Sequence, residues 1–289
     1  MDGMGVARVA QNVGGAVVGV GRHGSGVVIA PGRVLTLARN VERGDEVAVH
    51  VGGERVAGRV LGRDEAVDAA VVAVETGDGP VVDWAPDEVL ADVGIGTEVI
   101  ALGDPGGRGL RAAPGFVAAA PRGVRGPRGR LIEGVLEHTA PLPRGAGGGP
   151  LVDPEGRLLG LNAVRRPGGL ILAWPSSAVR PAVDALSAGT HRPPRRLGVA
   201  VAPPAVARRL RAAVGLPPHD GLLVQGVRDG SPAAAAGLTR GDLIVEAGGR
   251  PVTGIDDLYA AVDTAGPLTL AVLRGADRHD LTATLEPTP

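Results

Sequence analysis

A series of short apolar runs, each ended by glycine, proline or aspartate, is the feature that most constrains the fold of this chain. The runs Gly26–Ala30 and Val34–Ala38 flank Pro31-Gly32-Arg33. Proline followed by glycine suits the two central positions of a type II turn, so this stretch predicts a β-hairpin. Repeated short strands at this spacing favour an all-β barrel or sandwich over alternating strands and helices. Further strands are predicted at Glu46–Val51, Arg55–Leu61, Ala69–Val74, Thr97–Leu102, Gly115–Ala118, Arg130–Leu136, Leu158–Ala163 and Gly169–Trp174.

The pattern changes after a predicted helix and a linker. Val179–Leu186 predicts a short helix that begins near Pro181, because proline is tolerated in the first turn and disfavoured in a helix interior. Ser187–Arg196 contains adjacent prolines and no apolar pattern, which is typical of a linker. We therefore expect a first domain over residues 1–186, a linker over 187–196 and a second domain over 197–289.

The last part of the chain has the pattern of a small α+β domain. Ser231-Pro232, followed by four alanines and Gly237, predicts a short helix with serine as its N-cap. Asp256–Val262 predicts a second helix with acidic residues in its first turn. Strands are predicted at Leu197–Val201, Gly221–Val227 and Gly241–Val245, and Leu268–Leu273 with Asp280–Leu285 predicts a closing hairpin.

The composition excludes several classes of function. All 30 cationic residues are arginine, and 31 acidic residues give a formal net charge of -1, so no overall basic field draws the chain to nucleic acid or acidic lipid. The chain has no cysteine, and its histidines have no metal-ligand spacing, so we expect no metal and no cofactor. Residues 1–13 lack the pattern of a secretory signal, and no apolar stretch is long enough for a membrane span. These observations predict a soluble, cytoplasmic protein.

Three separated segments carry the candidate functional residues. Gly24–Val41 reads GSGVVIAPGRVLTLARNV, the stretch around Asp68 reads EAVDAAVVAVE, and Thr139–Asn162 contains RGAGGGPL. In this order and with these flanking strands, they resemble the segments that carry His, Asp and Ser in the HtrA/Deg branch of the trypsin-like serine proteases. The resemblance covers nearly the whole chain from about Ala16. It implies an all-β double β-barrel followed by a small α+β PDZ domain.

The resemblance also assigns a place to each part of a catalytic triad. It puts Arg39 at the general base, Asp68 at the carboxylate that orients the base, and Gly147 at the nucleophile, with the backbone N–H groups of Gly145 and Gly147 at the oxyanion. A guanidinium stays protonated at ordinary pH, and glycine has no side chain that could attack a carbonyl. Because triad members act as a unit, we predict a pseudoprotease.

Arg39 is predicted to have a structural role in place of a catalytic one. A buried Asp68 carboxylate without a partner is costly, and a guanidinium can restore the pairing with charge-assisted hydrogen bonds. The longer arginine side chain can also occupy space left by the missing serine side chain. The alternative is that Arg39 simply points into solvent.

The other polar residues do not rebuild the triad. Ser25, at the start of a strand, is expected to be structural, and Ser176 and Ser177 are expected to cap the closing helix. His138 is expected to border the binding cleft, where it has no hydroxyl partner in the sequence. The run of glycines that begins at Gly147 has no side chain of its own to hold its amides towards an oxyanion.

The second domain resembles a PDZ domain of the bacterial permuted type. Arg196-Leu197-Gly198-Val199 matches the carboxylate-binding loop and the start of the peptide-binding strand. The resemblance implies that the loop amides capture a terminal carboxylate while the edge from Val199 to Val201 accepts an added peptide strand. Leu258 and Val262 would line the side-chain pocket, although we expect one of the two to pack in the core instead.

The sequence therefore favours a binding protein over an enzyme. Its expected partners are peptide or protein C-termini and unfolded polypeptide, or a protease that it regulates. An active HtrA-type serine endopeptidase and a purely structural assembly scaffold remain open as alternatives. Members of the family often form trimers, so a homo-oligomer also remains open.

Overall fold

The fold is described from a computed structural model of the chain, in which residues 3–41, 44–192, 195–264 and 266–285 are described. The chain divides into two compact units, Met1–His191 and Arg192–Pro289. The adjacent prolines of the predicted linker, Pro193 and Pro194, lie outside the described residues.

The first half of the first unit is a closed barrel of six antiparallel strands. Their order around the barrel is β1-β2-β3-β6-β5-β4. The hairpin predicted around Pro31-Gly32 is present, and Gly32 has the positive φ of 70° that a type II turn requires. The strands are β1 (Val17–Val20), β2 (Gly24–Ala30), β3 (Arg33–Thr36), β4 (Glu46–Val51), β5 (Glu54–Asp64) and β6 (Ala69–Ala73).

The second half of this unit is another closed six-stranded barrel, which confirms the predicted double barrel. Its order is β10-β11-β12-β9-β8-β7. Val- and Leu-rich strand faces fill a core in which Trp174 and Leu161 are buried. The strands are β7 (Glu98–Gly103), β8 (Arg111–Arg125), β9 (Leu131–His138), β10 (Pro150–Val152), β11 (Leu158–Arg165) and β12 (Ile171–Pro175).

Three helices accompany the barrels: α1 (Gly3–Val13), α2 (Asp87–Ala91) and α3 (Ser176–Ser187). Helix α1 was not predicted from the sequence, and its Val9 and Val13 are buried in the core. The segment Gly3–Val13 is therefore part of the folded unit. Among the described residues, no helix is both long and apolar enough to cross a membrane.

The closing helix differs from its prediction at its first turns. Helix α3 begins at Ser176, so Pro181 lies inside it. Proline removes one helical hydrogen bond, but burial of Val179, Val183 and Leu186 against the barrels compensates for that loss. The expectation that serines cap this helix is wrong. Pro175 is the N-cap residue, no side chain caps the helix, and the buried Ser176 hydroxyl has no hydrogen-bond partner in the described part of the chain.

The second unit is the predicted small α+β domain. Its sheet has the order β13-β14-β15-β17-β18, with β16 paired to β15, so β13 lies at an edge. The Ser231 side chain caps the short helix α5 as expected, whereas α4 was not predicted. The elements are β13 (Val199–Ala202), α4 (Pro204–Ala213), β14 (Leu222–Val227), α5 (Pro232–Ala235), β15 (Leu243–Ala247), β16 (Arg250–Pro251), α6 (Ile255–Asp263), β17 (Leu268–Arg274) and β18 (Asp277–Ala283).

Candidate active site

Asp68 lies in the turn before β6 and is held in an uncommon backbone conformation. Its φ is 50°, a left-handed value that aspartate tolerates better than most residues. Its backbone carbonyl accepts the Ala38 N–H at 3.1 Å. The residue is only 3% exposed, so its carboxylate needs hydrogen-bond donors from the protein.

Arg39 supplies the closest of these donors. It lies in the short 3-10 segment Ala38–Val41 that follows β3. Its Nη1 donates to Asp68 Oδ2 at 2.7 Å, and its backbone N–H donates to Asp68 Oδ1 at 3.3 Å. The Trp174 indole Nε1 lies 3.5 Å from the same Oδ2. The pairing proposed from the sequence is therefore present in the structure, and the alternative of a guanidinium free in solvent is not.

The second nitrogen of the Arg39 guanidinium binds β11, beside the loop that would carry a nucleophile. Nη2 donates to the Ala163 carbonyl at 2.5 Å. A Cβ placed on Gly147 would lie 3.7 Å from the same carbonyl oxygen. The arginine side chain thus reaches the region towards which a side chain at position 147 would point. Its two guanidinium contacts hold it there. Because a guanidinium is already protonated, it cannot accept a proton from a nucleophile.

Position 147 could accept a side chain, but positions 148 and 149 could not. The nearest atom to a Cβ on Gly147 is Leu37 Cδ1 at 3.3 Å, and Gly147 does not have a positive φ. A Cβ on Gly148 would lie 2.2 Å from the Ser25 carbonyl oxygen, and one on Gly149 would lie 2.2 Å from the Leu102 carbonyl oxygen. Close backbone approach therefore requires glycine at 148 and 149, whereas the space for a residue at 147 is still present.

Side chains outside the glycine loop hold it in place. Asn40 Nδ2 donates to the Gly147 carbonyl at 3.0 Å, and the Ser25 N–H donates to the same oxygen at 3.0 Å. The buried Ser25 hydroxyl donates to the Gly145 carbonyl at 3.0 Å, which confirms its structural role. Within residues 3–41, 44–192, 195–264 and 266–285, the amide N–H groups of Gly145 and Gly147 have no hydrogen-bond acceptor.

His138 does not border the cleft, and that prediction is wrong. It lies at the end of β9 with no exposed surface, and its Nε2 is 3.0 Å from Asn162 Oδ1. Burial lowers the pKa of His138 to about 4, against a smaller opposing effect of the Asn162 hydrogen bond. The Asn162 amide also donates to the Gly149 carbonyl at 3.0 Å and the Pro150 carbonyl at 2.9 Å. A neutral His138 therefore supports the glycine loop from within the second barrel.

Two clefts meet at Arg39. One has a volume of about 570 Å³ and contains the ion pairs of Arg39 with Asp68 and of Arg128 with Glu65. The other has a volume of about 680 Å³ and is lined by the turn between β1 and β2, by β4 and by the start of β5. Among the described residues, no group of His, Asp and Glu side chains has the arrangement of a metal site.

In the second unit, the loop before β13 packs closely against the start of α5. Gly198 has a φ of 85°, and a Cβ there would lie 2.3 Å from Ser231 Cβ, so only glycine fits. The carbonyls of Leu197 and Gly198 accept N–H groups from Ala233 and Arg228, each at 2.9 Å. In the part of the chain that is described, no acceptor engages the N–H groups of Leu197 and Gly198.

The side chains predicted to line the peptide pocket are less accessible than expected. Leu258 is 3% exposed and Val262 is 4% exposed, and both belong to the core of the second unit. The expectation that only one of them packs in the core is therefore wrong. Both point from α6 into the core because they lie one helical turn apart on its apolar face.

Comparisons with known proteins agree with this architecture. The family model for the trypsin-like peptidase domain matches residues 24–161, and that for the PDZ domain matches residues 223–274. HhoA of Synechocystis sp., named as a serine protease, is 32% identical over 278 residues, which are 90% of this chain and 69% of HhoA. The chain belongs to the HtrA-type family of trypsin-like serine proteases. Two HtrA-type features, the double barrel and the PDZ domain, are both present.

Solved HtrA-type structures show the same fold. The protease AlgW, solved with a decapeptide, has a TM-score of 0.74 at 22% identity and covers 98% of this chain and 99% of its own. A serine endoprotease from Yersinia pestis has a TM-score of 0.71 at 21% identity, with 98% of both chains covered. The chain spans only about half of some longer HtrA-type relatives, for example 56% of a DegP-like protein of Halomonas elongata at 29% identity.

The names of these relatives contradict the predicted cytoplasmic location. The DegP-like proteins of Halomonas elongata and Pseudomonas savastanoi are named as periplasmic serine endoproteases. The prediction relied on the absence of a secretory signal in residues 1–13. Residues 3–13 form helix α1, which packs on the core of the first unit. Their sequence therefore reflects folding and is no evidence about targeting.

Proposed function

We propose that this protein is a pseudoprotease of the HtrA type, which binds polypeptide without cleaving it. The observation that carries the proposal is the Arg39 guanidinium, bound to Asp68 at 2.7 Å and to the Ala163 carbonyl at 2.5 Å, beside a Gly147 that has no side chain. A protonated guanidinium cannot take a proton, and nothing at position 147 can attack a carbonyl.

The remaining parts of the site support binding better than catalysis. The free amides of Gly145 and Gly147 could still polarise a carbonyl, but oxyanion donors alone give only a small residual rate. The loop that presents them is held by Asn40 and Ser25, so the loss of both reactive side chains has left an ordered cleft. An ordered cleft without a nucleophile can hold a peptide and release it intact.

The PDZ domain supplies a second place for peptide binding. Strand β13 lies at a sheet edge, where a peptide can add as a further strand along Val199 to Val201. The amides of Leu197 and Gly198 lie at the start of this edge and are available for a terminal carboxylate. The solved AlgW structures with a decapeptide and a tripeptide make peptides the expected ligand class for this chain. The names of its relatives make the periplasm the expected compartment.

Hydrolysis of unfolded casein, measured for the wild-type chain, tests the lack of catalysis. We expect no turnover above that of buffer alone, and turnover that a serine-directed inhibitor removes would contradict the proposal.

Binding to a library of C-terminal peptides tests the PDZ site. We expect peptides with a free carboxylate to bind, and the same peptides with an amidated C-terminus to bind at least about tenfold more weakly, because the charge-assisted contacts to the loop amides are lost. Equal binding of both forms would contradict the role of this loop.

A further inference from the structure

The larger cleft beside Arg39 contains an excess of positive charge. Its volume is about 680 Å³, and Arg22, Arg55 and Arg108 line it together with Arg39. The carboxylate among its lining residues is that of Glu46. The whole chain has a formal charge of -1, so this concentration of arginine is local and does not follow from the overall composition.

Within the part of the chain that the structure describes, the three additional arginines have no acidic partners. Among the described residues, no carboxylate lies within salt-bridge distance of Arg22, Arg55 or Arg108, and all three residues are exposed. The Arg108 guanidinium instead lies 3.4 Å from His23 Nδ1 and 3.4 Å from the Arg22 carbonyl oxygen. Their guanidinium groups are therefore available to an external anion.

The cleft on the other side of Arg39 shows the contrast. There Arg39 pairs with Asp68 and Arg128 pairs with Glu65, at 2.7 and 2.8 Å. Arg63, the third arginine of that cleft, donates its Nε–H to the Val41 carbonyl at 2.8 Å. On one side of Arg39, two of the three arginines pair with carboxylates, whereas on the other side Arg22, Arg55 and Arg108 pair with none in the described part of the chain.

We propose that the arginine-lined cleft binds an acidic segment of a partner polypeptide. Carboxylates form bidentate hydrogen bonds with guanidinium groups, and three unpaired arginines around one cleft fit several acidic side chains of an extended segment. The lining of this cleft contains no Phe, Tyr or Trp, and its aromatic side chains are those of His23 and His50, so it lacks the large stacking surfaces typical of sites for single-stranded nucleic acid. The chemistry therefore favours an acidic polypeptide over a nucleic acid.

The cleft is continuous with the degenerate active site. A Cβ on Gly145 would lie 2.4 Å from the carbonyl oxygen of His23, so the glycine loop packs directly on a residue that lines the cleft. An acidic segment bound there would pass beside Arg39. This proposal rests on the proposed function in one respect: the bound segment is not cut.

Fluorescence anisotropy with a labelled peptide of alternating glutamate and glycine tests the proposal on the full chain. The peptide is amidated, so that the carboxylate-binding loop of the PDZ domain does not contribute. The first comparison is a peptide with glutamine in place of glutamate. The second is the triple variant Arg22→Gln, Arg55→Gln, Arg108→Gln. A matched control, Arg8→Gln, Arg166→Gln, Arg240→Gln, removes the same charge from exposed arginines outside the cleft.

We expect the acidic peptide to bind to the wild type. Its affinity should fall about tenfold in the cleft variant, because each of three exposed ion pairs contributes a factor of about two. In the control variant its affinity should fall less than about twofold. The glutamine peptide should bind at least about tenfold more weakly to the wild type, and added salt should weaken binding of the acidic peptide. Equal loss in both triple variants, or equal binding of both peptides, would overturn the proposal. Tighter binding of a single-stranded oligonucleotide that depends on the same arginines would assign the cleft to nucleic acid instead. Casein turnover is measured separately. Turnover would contradict the pseudoprotease proposal, whereas the peptide comparisons test the cleft alone, so the failure of either proposal can be recognised.

Discussion

Removing the Arg39 guanidinium is expected to destabilise the first unit measurably. The variant Arg39→Met keeps a long side chain but breaks the 2.7 Å hydrogen bond to an Asp68 carboxylate that is almost fully buried. Breaking a fully buried pair costs about 3–5 kcal/mol, whereas an exposed pair contributes at most about 1 kcal/mol. The side chain of Arg39 is 36% exposed and that of Asp68 4%, so the pair lies between these limits. We expect a loss of about 2 kcal/mol in unfolding free energy, allowing for solvent screening.

A double-mutant cycle with Asp68→Asn separates the pairing from other effects of each substitution. We expect a coupling energy of about 1–2 kcal/mol between the two positions. The ion pair between Arg122 and Glu137 provides a matched control, because its 3.1 Å contact joins side chains that are 57% and 15% exposed. Its coupling should be below about 0.5 kcal/mol.

Urea unfolding followed by tryptophan fluorescence is a suitable assay. Both tryptophans, Trp84 and Trp174, lie in the first unit, so their signal reports that unit alone and the PDZ domain does not complicate the transition. A coupling energy for Arg39 and Asp68 no larger than that of the control pair would refute the reasoning that the arginine stabilises the buried carboxylate.

Three further outcomes are expected from the same unfolding assay. Lowering the pH from about 7 to about 5 should reduce the unfolding free energy by about 2 kcal/mol. The pKa of His138 is about 4 in the folded chain, against an ordinary value of 6.5, so over this range the unfolded state takes up a proton that the folded state does not. His138→Gln should remove most of this pH dependence, and an unchanged slope would contradict the assignment. Gly148→Ala should lower the unfolding free energy by more than about 2 kcal/mol, because its Cβ would lie 2.2 Å from a carbonyl oxygen. Gly147→Ala should change the unfolding free energy by less than about 1 kcal/mol. Similar effects at both positions would contradict the loop geometry. Asn162→Ala should lower the unfolding free energy by about 2–4 kcal/mol, because it removes the side-chain donor to the Gly149 and Pro150 carbonyls and the partner of the buried His138 ring. An unchanged unfolding free energy would show that the loop does not depend on this amide.

Most of the fold could be predicted because its elements are local patterns. Valine-rich runs between glycine and proline turns gave β4 at its observed bounds, and the Ser231-Pro232 cap identified α5. Helix α4 was missed although its alanine, arginine and leucine residues favour a helix and Pro204 suits its first turn. Helix α1 was missed because its glycines and valines are weak helix formers and packing stabilises it. The start of α3 was misplaced for the same reason: tertiary burial outweighs the cost of Pro181.

The part of the candidate site that could be predicted is the pairing of charged side chains. The pairing of Arg39 with Asp68 follows from the cost of a lone buried carboxylate, and the structure contains it. The position of His138 could not be predicted, because its neighbour Asn162 is brought to it by the pairing of separate strands across the second barrel. The arginine-lined cleft was missed because its four arginines, Arg22, Arg39, Arg55 and Arg108, are far apart in the sequence, whereas the net charge averages over the whole chain.

The absence of a nucleophile is the central claim, and covalent labelling tests it most directly. A serine-directed phosphonate probe is incubated with the wild-type chain and with the double variant Arg39→His, Gly147→Ser, and the intact masses are measured. The nearest atom to a Cβ at position 147 is a leucine methyl group at 3.3 Å, so the structure leaves room for the serine. We predict no mass increase for the wild type and labelling of the double variant. A probe adduct on the wild-type chain would contradict the account.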